Sequence, residues 1–557
     1  MKKPNLFRSV FILCYVFIVT IIYWIGYGKP IIGIDDANIY MVYMKNFANG
    51  YGFVYNYGSE RVEGFTSLLW TLIGSFFYKF SAHPELLLCL LSFILITYTL
   101  IQLAIVIDGY LGKGKVLSVP TLIVMALLLF IPGYFEWTVL SLMETGFWSS
   151  LLILLTMNIC KWELNNKRIM GLNIEFALLI ALIVFTRPES LLWGIIFISI
   201  RTHQMFLQYE GSVAKTAQKI APTVLLFILS ALILVKWRVH YFGFPYPNTY
   251  YAKVSDDKIS NILNGFKYTL NYILKDNLFL VLIVYVIALL TGYILNRKAE
   301  RFVIYLSIVA ATTFFIPFIT GGDHFALGRF FQPTLPILYF LILIAFTKIH
   351  HEFSISKLNY IYAAGILLLA ATCCSFFLYK QKDLITQEFR IAEHGRQFGE
   401  NLNVFFDKQV KMPSQGVIVA GGTAYGYKGI TIDLLGLNNV AMAHADKIKS
   451  AKAIKDHASF NRDVFFKQQP DLFEGREGGT FLNDTTHFHL FEQDSTFEES
   501  FESITFKGLY KDSVFKKMYV PVLISKKGDA VFLFTYANRE FLNSLNRSFY
   551  SYKEIER

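Results

Sequence analysis

The sequence is poor in charge and in cysteine. Only 17% of its 557 residues are charged, against about 25% in an ordinary soluble domain, and 54% are hydrophobic. This composition excludes a disordered chain and a wholly soluble protein. The five cysteines all lie in or beside apolar runs, so neither a disulfide framework nor a cysteine metal site is expected.

Several catalytic signatures are also missing from the sequence. It has no Gly-x-x-x-x-Gly-Lys-Ser/Thr loop, no Gly-x-Gly-x-x-Gly, no His-Glu-x-x-His and no nucleophile elbow, so an ATPase, a Rossmann enzyme, a zincin and a common serine hydrolase lose support. The net charge of +11 comes without a basic run interleaved with aromatics, which favours membrane orientation over nucleic-acid binding. Without a nucleotide-binding loop, any activated donor is expected to be lipid-borne.

Long apolar runs dominate the chain up to about residue 380. The first follows a basic start, is too long for a signal peptide and ends in aromatic residues, so we expect an uncleaved helix. The run 174–200 is split at Arg187-Pro188-Glu189 into two short helices. Residues 1–380 are therefore predicted to form about 11 transmembrane helices. The other runs are 85–107, 116–133, 145–160, 219–236, 277–295, 302–320, 332–347 and 358–379.

The basic clusters between these runs predict the orientation of the chain. If they lie in the cytoplasm, residues 66–80 form a helix along the membrane interface rather than a span. The first outer loop, residues 28–84, then lies outside the membrane together with residues 237–276 and the turns near Glu144 and Asp323. Residues 381–557 alternate short apolar and polar stretches, which predicts a soluble extracytoplasmic α/β domain.

Two adjacent carboxylates, Asp35 and Asp36, follow the first apolar run by only a few residues. Like charges at a membrane surface repel each other and lose hydration, so they need a partner or a use. One interpretation is the N-cap of an amphipathic helix over residues 39–47; the other is catalysis, and the two can coexist. In the same loop, Arg61 lies near Glu63 and could pair with phosphate, or form a surface ion pair.

Further polar residues fall on the same side of the predicted membrane. Glu144 opens a helix and could simply favour the helix dipole, whereas Arg187 and Glu189 place two costly ionisable groups in an apolar run. The loop 240–253 is rich in aromatics, amide and lysine, which suits either a sugar or an interfacial belt. The Gly-Gly turn at 321–322 precedes a carboxylate, an imidazole and a guanidinium that could seat a phosphate. The substrate-binding candidates are Arg61, Glu63, Glu144, Asn248, Tyr250, Lys253, Asp323, His324 and Arg329.

These loops resemble those of a known family. Ile34-Asp35-Asp36-Ala37, with residues 49–56 and 61–70, is similar to the first outer loop of the GT-C membrane glycosyltransferases. Within them it is most similar to the branch that holds the terminal β-(1→2)-arabinofuranosyltransferases. Further similar blocks follow in the same order at 143–145, 186–189, 244–253, 321–330 and 433–444.

The resemblance implies transfer of a sugar, arabinofuranose in that branch, from a polyprenyl-phosphate donor to an acceptor glycan or glycolipid. The reaction would take place on the outer side of the bacterial cytoplasmic membrane, with Asp35 or Asp36 as the catalytic aspartate. Because phosphate already activates the anomeric carbon, one carboxylate suffices as the general base, and the product is inverted.

The departing phosphate needs positive charge. The candidates for supplying it are Arg61, Lys253, His324 and Arg329. Enzymes of the family that the sequence resembles can work without a metal, and a divalent metal held by Asp36, Glu144 or Asp323 is the open alternative. The competing functions are a polyprenyl-linked glycan flippase or polymerase, another lipid-glycan-binding protein, and a structural membrane scaffold.

Overall fold

The amino-terminal part of the chain is a bundle of helices in a computed structural model. The structure describes residues 5–164, 170–253, 258–275, 300–352, 382–445, 459–473, 480–483, 490–493 and 496–557. The helices of this part are α1 (Leu6–Gly26), α2 (Asp35–Ala48), α3 (Leu68–Phe80), α4 (Pro84–Tyr110), α5 (Val119–Phe130), α6 (Thr145–Leu164), α7 (Met170–Val184), α8 (Ser190–Gln208), α9 (Val213–Phe242), α10 (Asn248–Lys253), α11 (Lys258–Lys275), α12 (Arg301–Thr320) and α13 (Leu335–Glu352).

Among the described residues of this bundle, six segments are long and apolar enough to cross a membrane. The predicted break at Arg187 is confirmed, because α7 ends at Val184 and α8 begins at Ser190. The predicted runs 277–295 and 358–379 lie outside the described residues. The six segments are Leu6–Gly26, Pro84–Tyr110, Ser190–Gln208, Val213–Phe242, Arg301–Thr320 and Ala326–Ala345.

Helix α2 carries the two adjacent aspartates into the interior of the protein. It is buried on nearly all sides rather than amphipathic, and its N-cap is Ile34, with both aspartates in the first turn. The prediction that the aspartates form the N-cap of an amphipathic helix is therefore wrong: they lie just inside the helix, and the helix is mostly buried. Two features favour glycine at position 33. Its φ of +70° lies in the left-handed region, and a Cβ at this position would lie 2.5 Å from Ser141 O. The turn holds the start of α2 against the segment that precedes Glu144.

The tail is a mixed α/β domain, as the sequence predicted. Its sheet has the strand order β2-β1-β3-β6-β5-β7, with β4 also paired to β6. The pairs β1–β2 and β1–β3 are parallel, and the others are antiparallel. The strands are β1 (Gln415–Val417), β2 (Thr431–Asp433), β3 (Leu472–Phe473), β4 (Thr480–Leu482), β5 (Tyr519–Lys526), β6 (Phe532–Asn538) and β7 (Tyr550–Glu554); the helices are α14 (Lys382–Phe405), α15 (Gly422–Gly426), α16 (Val440–His444), α17 (Arg462–Gln468), α18 (Phe501–Thr505), α19 (Ser513–Met518) and α20 (Arg539–Ser544).

The two faces of this sheet bury different hydrophobic clusters. Along β5, Val522 and Ile524 pack with the far end of α14, whereas Tyr519 and Leu523 pack in a separate cluster rich in phenylalanine. Successive side chains of a strand point to opposite faces, so an apolar run such as β5 can be buried on both. The near end of α14 instead joins the main core of the helical bundle through Ile385 and Phe389. The tail is thus packed onto the bundle, and the domain boundary near residue 380 stays a prediction.

Candidate active site

Two cavities meet at Asp36. The first, of about 790 Å³, is the more polar of the two and lies between α2, α11, the turn after α12, and the tail. The second, of about 550 Å³, is mostly apolar and reaches into the bundle beside Arg187 and Arg329. We call them the polar cavity and the apolar cavity. The residues that line both are Asp36, Ile39, Lys253, Asp323 and Leu437.

The structure separates the two adjacent aspartates. The carboxylate of Asp35 is buried and accepts two backbone hydrogen bonds from the tail, from Gly421 N to Oδ2 at 2.9 Å and from Gly422 N to Oδ1 at 2.7 Å. Asp36 keeps 23% of its side chain exposed, and its Oδ2 lies 3.7 Å from Nζ of Lys253. Asp35 therefore fastens the tail to the first loop, whereas Asp36 is presented to both cavities.

Two buried arginines line the apolar cavity, and both lie beside one aromatic ring. Arg187 and Arg329 lie 4.9 Å and 5.4 Å from the ring centroid of Phe330. Each is held by carboxylates: Arg187 by Glu144 and Glu189, and Arg329 by Asp323, at 2.7 Å. Cations fixed in this way are preorganised to stabilise an anion that enters the cavity.

Glu144 is the first of these carboxylates. Its side chain is fully buried against Arg187, and its place in a turn on the outer side of the membrane stays a prediction. A charge without water needs a partner of opposite sign, and the guanidinium supplies it. Glu144 is thus a support for Arg187, and its carboxylate is not among the residues that line either cavity.

The turn after α12 brings the next three predicted residues to the site. Gly321 and Gly322 adopt φ of +92° and +68°, which ends the helix and reverses the chain. Asp323 is then buried between Arg329 and His324, whose Nδ1 lies 3.5 Å from Asp323 Oδ1. His324 is exposed in the polar cavity, so this turn contributes to both cavities.

The predicted pair Arg61 and Glu63 lies outside both cavities. The carboxylate of Glu63 is buried and binds Arg238 through three hydrogen bonds of 2.9–3.0 Å. Arg61 is exposed, with its guanidinium 4.5 Å from the ring centroid of Tyr241. A surface ion pair was one alternative for Arg61, but Glu63 pairs instead with Arg238 and so joins the first loop to α9. The geometry gives no support to a phosphate contact by Arg61.

The substrate-binding candidates of the loop 240–253 lie in two different places. Tyr250 and Lys253 line the apolar cavity. Asn248 instead donates from Nδ2 to the carbonyl oxygens of Gly436 and Leu437 in the tail, at 2.7 and 3.1 Å. It is buried there and lines neither cavity, which makes it a tether between the loop and the tail.

The sequence reasoning missed the residues that attach the tail to the first loop. Arg396 of α14 donates to Asn38 and Glu85 and stacks on Tyr425 at 3.8 Å. Asn56 exchanges two hydrogen bonds with the backbone of Thr431, at 2.8 and 2.9 Å. The Gly-Gly pair at 421–422 is visible in the sequence, but its partner lies 386 residues earlier, and no local pattern signals such a contact.

The carboxylates near the two cavities are the only predicted ligands for a divalent metal. Within the described ranges no group of three His, Cys, Asp or Glu side chains is arranged to hold a metal ion. Glu144 and Asp323, two of the three predicted ligands, are each paired with an arginine. The residues present therefore do not fit a metal centre, and no step below is assigned to one.

The architecture matches solved GT-C structures. No family model and no curated protein matches the sequence. A crystal structure of ArnT from Cupriavidus metallidurans bound to undecaprenyl phosphate superposes with a TM-score of 0.52 at 11% identity, over 78% of this chain and 88% of that one. The Archaeoglobus fulgidus oligosaccharyltransferase, in complex with Zn and sulfate, gives 0.52 at 11% identity, over 95% of this chain and 73% of that one. The predicted GT-C fold is therefore confirmed.

Proposed function

We propose that the protein is an inverting glycosyltransferase that moves a sugar from a polyprenyl-phosphate donor to an acceptor glycan. The observation that carries the proposal is the position of Asp36, where a polar cavity open to the tail meets an apolar cavity lined by two buried arginines. The likeness in fold to a protein crystallised with undecaprenyl phosphate and to an oligosaccharyltransferase supports a lipid-linked donor.

Asp36 is the general base of the proposed reaction. It takes the proton from an acceptor hydroxyl, whose oxygen then attacks the anomeric carbon while the bond from that carbon to the donor phosphate breaks. The electron pair of the broken bond leaves with the phosphate. Asp35 is a poor base by comparison, because both of its oxygens accept N–H groups of the tail. Its role is to fix the turn of α2 from which Asp36 projects.

The leaving phosphate is bound in the apolar cavity by Arg187, Arg329 and Lys253. These three cations line the cavity, and the ion pairs behind the arginines hold the guanidiniums in place before the donor arrives. Such preorganised charge stabilises the developing phosphate without reorganisation. The mostly apolar wall of the same cavity suits the first isoprene units of the donor.

The family resemblance adds to the proposal. It supports arabinofuranose as the sugar, and it supports a site and a tail on the outer face of a bacterial cytoplasmic membrane. A lipid-linked donor needs no nucleotide-binding loop, which agrees with the absence of those motifs from the sequence.

The test is sugar transfer by the purified full-length chain in detergent, from a panel of polyprenyl-phosphate sugars that includes the arabinofuranosyl form. We expect Asp36→Asn to lower kcat by about 10²–10⁴-fold. The exposed Asp529→Asn serves as the matched control and should keep full activity. Transfer that survives Asp36→Asn would refute the base assignment.

Lipid translocation without transfer would instead favour the flippase alternative. It is measured with the same protein in vesicles that carry a fluorescent polyprenyl-phosphate sugar, by the loss of label from one leaflet. A scaffold would show neither activity.

A further inference from the structure

Helix α11 leads from one cavity into the other. Asn261, near its start, lines the apolar cavity, and Asn264, Lys267 and Asn271 line the polar cavity. These residues recur at intervals of three and four, so they share one face of the helix. The opposite face is apolar and exposed, which suits a helix bedded at the membrane interface. Its residues are Ile259, Leu263, Phe266, Leu270 and Leu274.

Aromatic packing holds α11 in this orientation. The ring of Tyr272 stacks on Phe331 with 4.3 Å between centroids, and the ring of Tyr268 stacks on the same residue at 5.2 Å. Gly265 allows a close approach to α12, since a Cβ there would lie 2.2 Å from Phe318 O. The polar face of α11 is therefore fixed toward the cavity.

Three amide side chains of the polar cavity are available to a ligand. Within the described part of the chain, Asn264 and Asn271 of α11 make no side-chain hydrogen bond to another residue. The same holds for Gln387, which lines the cavity from α14 on the opposite wall. An amide group both donates and accepts hydrogen bonds, and so does a sugar hydroxyl. These amides can therefore exchange their bound water for the hydroxyls of a glycan.

The spacing of the two amides on α11 sets a length. Asn264 and Asn271 are separated by nearly two helical turns, about 10 Å along the axis, so their side chains leave the helix in nearly the same direction. A single sugar ring is too short to contact both, whereas two consecutive rings of a glycan chain can reach them. We call these two residues the amide row. Because Asn261 already lines the apolar cavity, the row leads away from the point where the two cavities meet.

We propose that the polar cavity binds the acceptor as an oligosaccharide laid along α11. The sugar with the reacting hydroxyl lies at Asp36, the next sugar beside Asn264, and the one after it beside Asn271. The inference rests on the proposed function and specifies the acceptor, which is a chain of sugars rather than a monosaccharide. Gln387 contacts the chain from the other wall, and Phe501, which also lines the cavity, offers a ring face for stacking.

The size of the cavity agrees with an acceptor of this length. Its volume of about 790 Å³ lies in the upper part of the range of about 300–1,000 Å³ that is typical of ligand sites. A monosaccharide held at Asp36 would leave most of this space, and both members of the amide row, in contact with water only. Each further sugar should therefore add affinity.

The experiment measures binding of two uncharged saccharide series to the full-length protein in detergent, by saturation-transfer NMR. One series is N-acetylglucosamine, diacetylchitobiose and triacetylchitotriose, and the other is glucose, maltose and maltotriose. In at least one series we expect the Kd to fall about tenfold or more from the monosaccharide to the trisaccharide, because each added sugar reaches one more amide. The proposal is overturned if neither series gains affinity with length, which includes the case that no member binds.

Two single substitutions locate the gain along the helix. Asn264→Ala should weaken binding of the disaccharide and the trisaccharide by about two- to tenfold, and Asn271→Ala should weaken the trisaccharide alone. Gln397→Ala is the matched control, since it removes an exposed amide of α14 that lines neither cavity. A merely structural effect would weaken all lengths alike. Equal losses at all lengths, a gain that persists in both variants, or the same pattern in Gln397→Ala would overturn the assignment to the amide row.

The two proposals fail in different ways. Binding that grows with length and depends on the amide row, but without sugar transfer from any polyprenyl-phosphate donor, would retain the oligosaccharide site and reject the glycosyltransferase. Transfer whose acceptor KM is the same for a monosaccharide and a trisaccharide would retain the enzyme and reject the oligosaccharide site.

Discussion

Replacement of Asp35 by Asn should loosen the tail from the first loop without unfolding either part. The carboxylate accepts hydrogen bonds of 2.9 and 2.7 Å from Gly421 N and Gly422 N. An amide keeps one acceptor oxygen but turns an NH₂ group toward the other N–H donor. A hydrogen bond to a charged group contributes about 1.5–3 kcal/mol, so the variant should lose about 2–3 kcal/mol at this junction.

Hydrogen exchange at the two glycine amides measures this loss directly. If local opening exposes them, a loss of this size lowers their protection by roughly 30- to 150-fold. Amides of the β5–β6 hairpin, which is distant in the sheet, should keep their protection and show that the tail is folded. Asp36→Asn is the matched control, since it removes the neighbouring charge and leaves the two hydrogen bonds in place.

Protection of Gly421 and Gly422 that is equal in Asp35→Asn and wild type would refute the reasoning. It would mean that the other contacts of the tail hold the junction closed and that the Asp35 contacts contribute little. A matching fall in Asp36→Asn would refute the division of roles between the two aspartates.

Three other changes follow from the same structure. Gly421→Ala should also weaken the junction and lower transfer, because its Cβ would lie 1.9 Å from Asp35 O; Gly109→Ala, which meets nothing within 4 Å, is the control. Glu63→Gln leaves Arg238 as a buried charge with a weaker partner and should destabilise the protein by about 3–5 kcal/mol, seen as a lower Tm. Arg329→Lys should raise the donor KM about tenfold with a smaller effect on acceptor KM, because a lysine cannot reproduce a buried guanidinium held by a carboxylate and aromatic rings; equal changes in both constants would contradict its place at the phosphate.

The sequence was sufficient for features set by local pattern. Apolar runs predicted the helices, and the charged Pro-containing break predicted the separation of α7 from α8. The alternation of short apolar and polar stretches in the tail predicted an α/β domain, whose strands include β5 and β6. The pair of aspartates near the first helix was found because two adjacent carboxylates are conspicuous where charge is scarce.

The different roles of the charged residues in and near the site could not be predicted from the sequence. Asp35 and Asp36 are equivalent in the sequence, and only their contacts in the folded chain, with Gly421 and Gly422 for Asp35 and with Lys253 for Asp36, distinguish them. Glu63 was interpreted with its sequence neighbour Arg61, but its partner Arg238 lies 175 residues away. Partners of buried charges depend on which helices pack together, and the periodicity of a single helix does not carry that information.

The tail contact also bears on when the protein becomes functional during its synthesis. Asp35 leaves the ribosome early, but the glycine amides that bind it follow 386 residues later, and the polar cavity needs lining residues from both parts of the chain. Until then, α2 has its membrane neighbours but not its partner from the tail. A chain that stops near residue 380 would insert its helices and still lack a completed site, so release of the carboxyl-terminal segment should be the step that switches on activity.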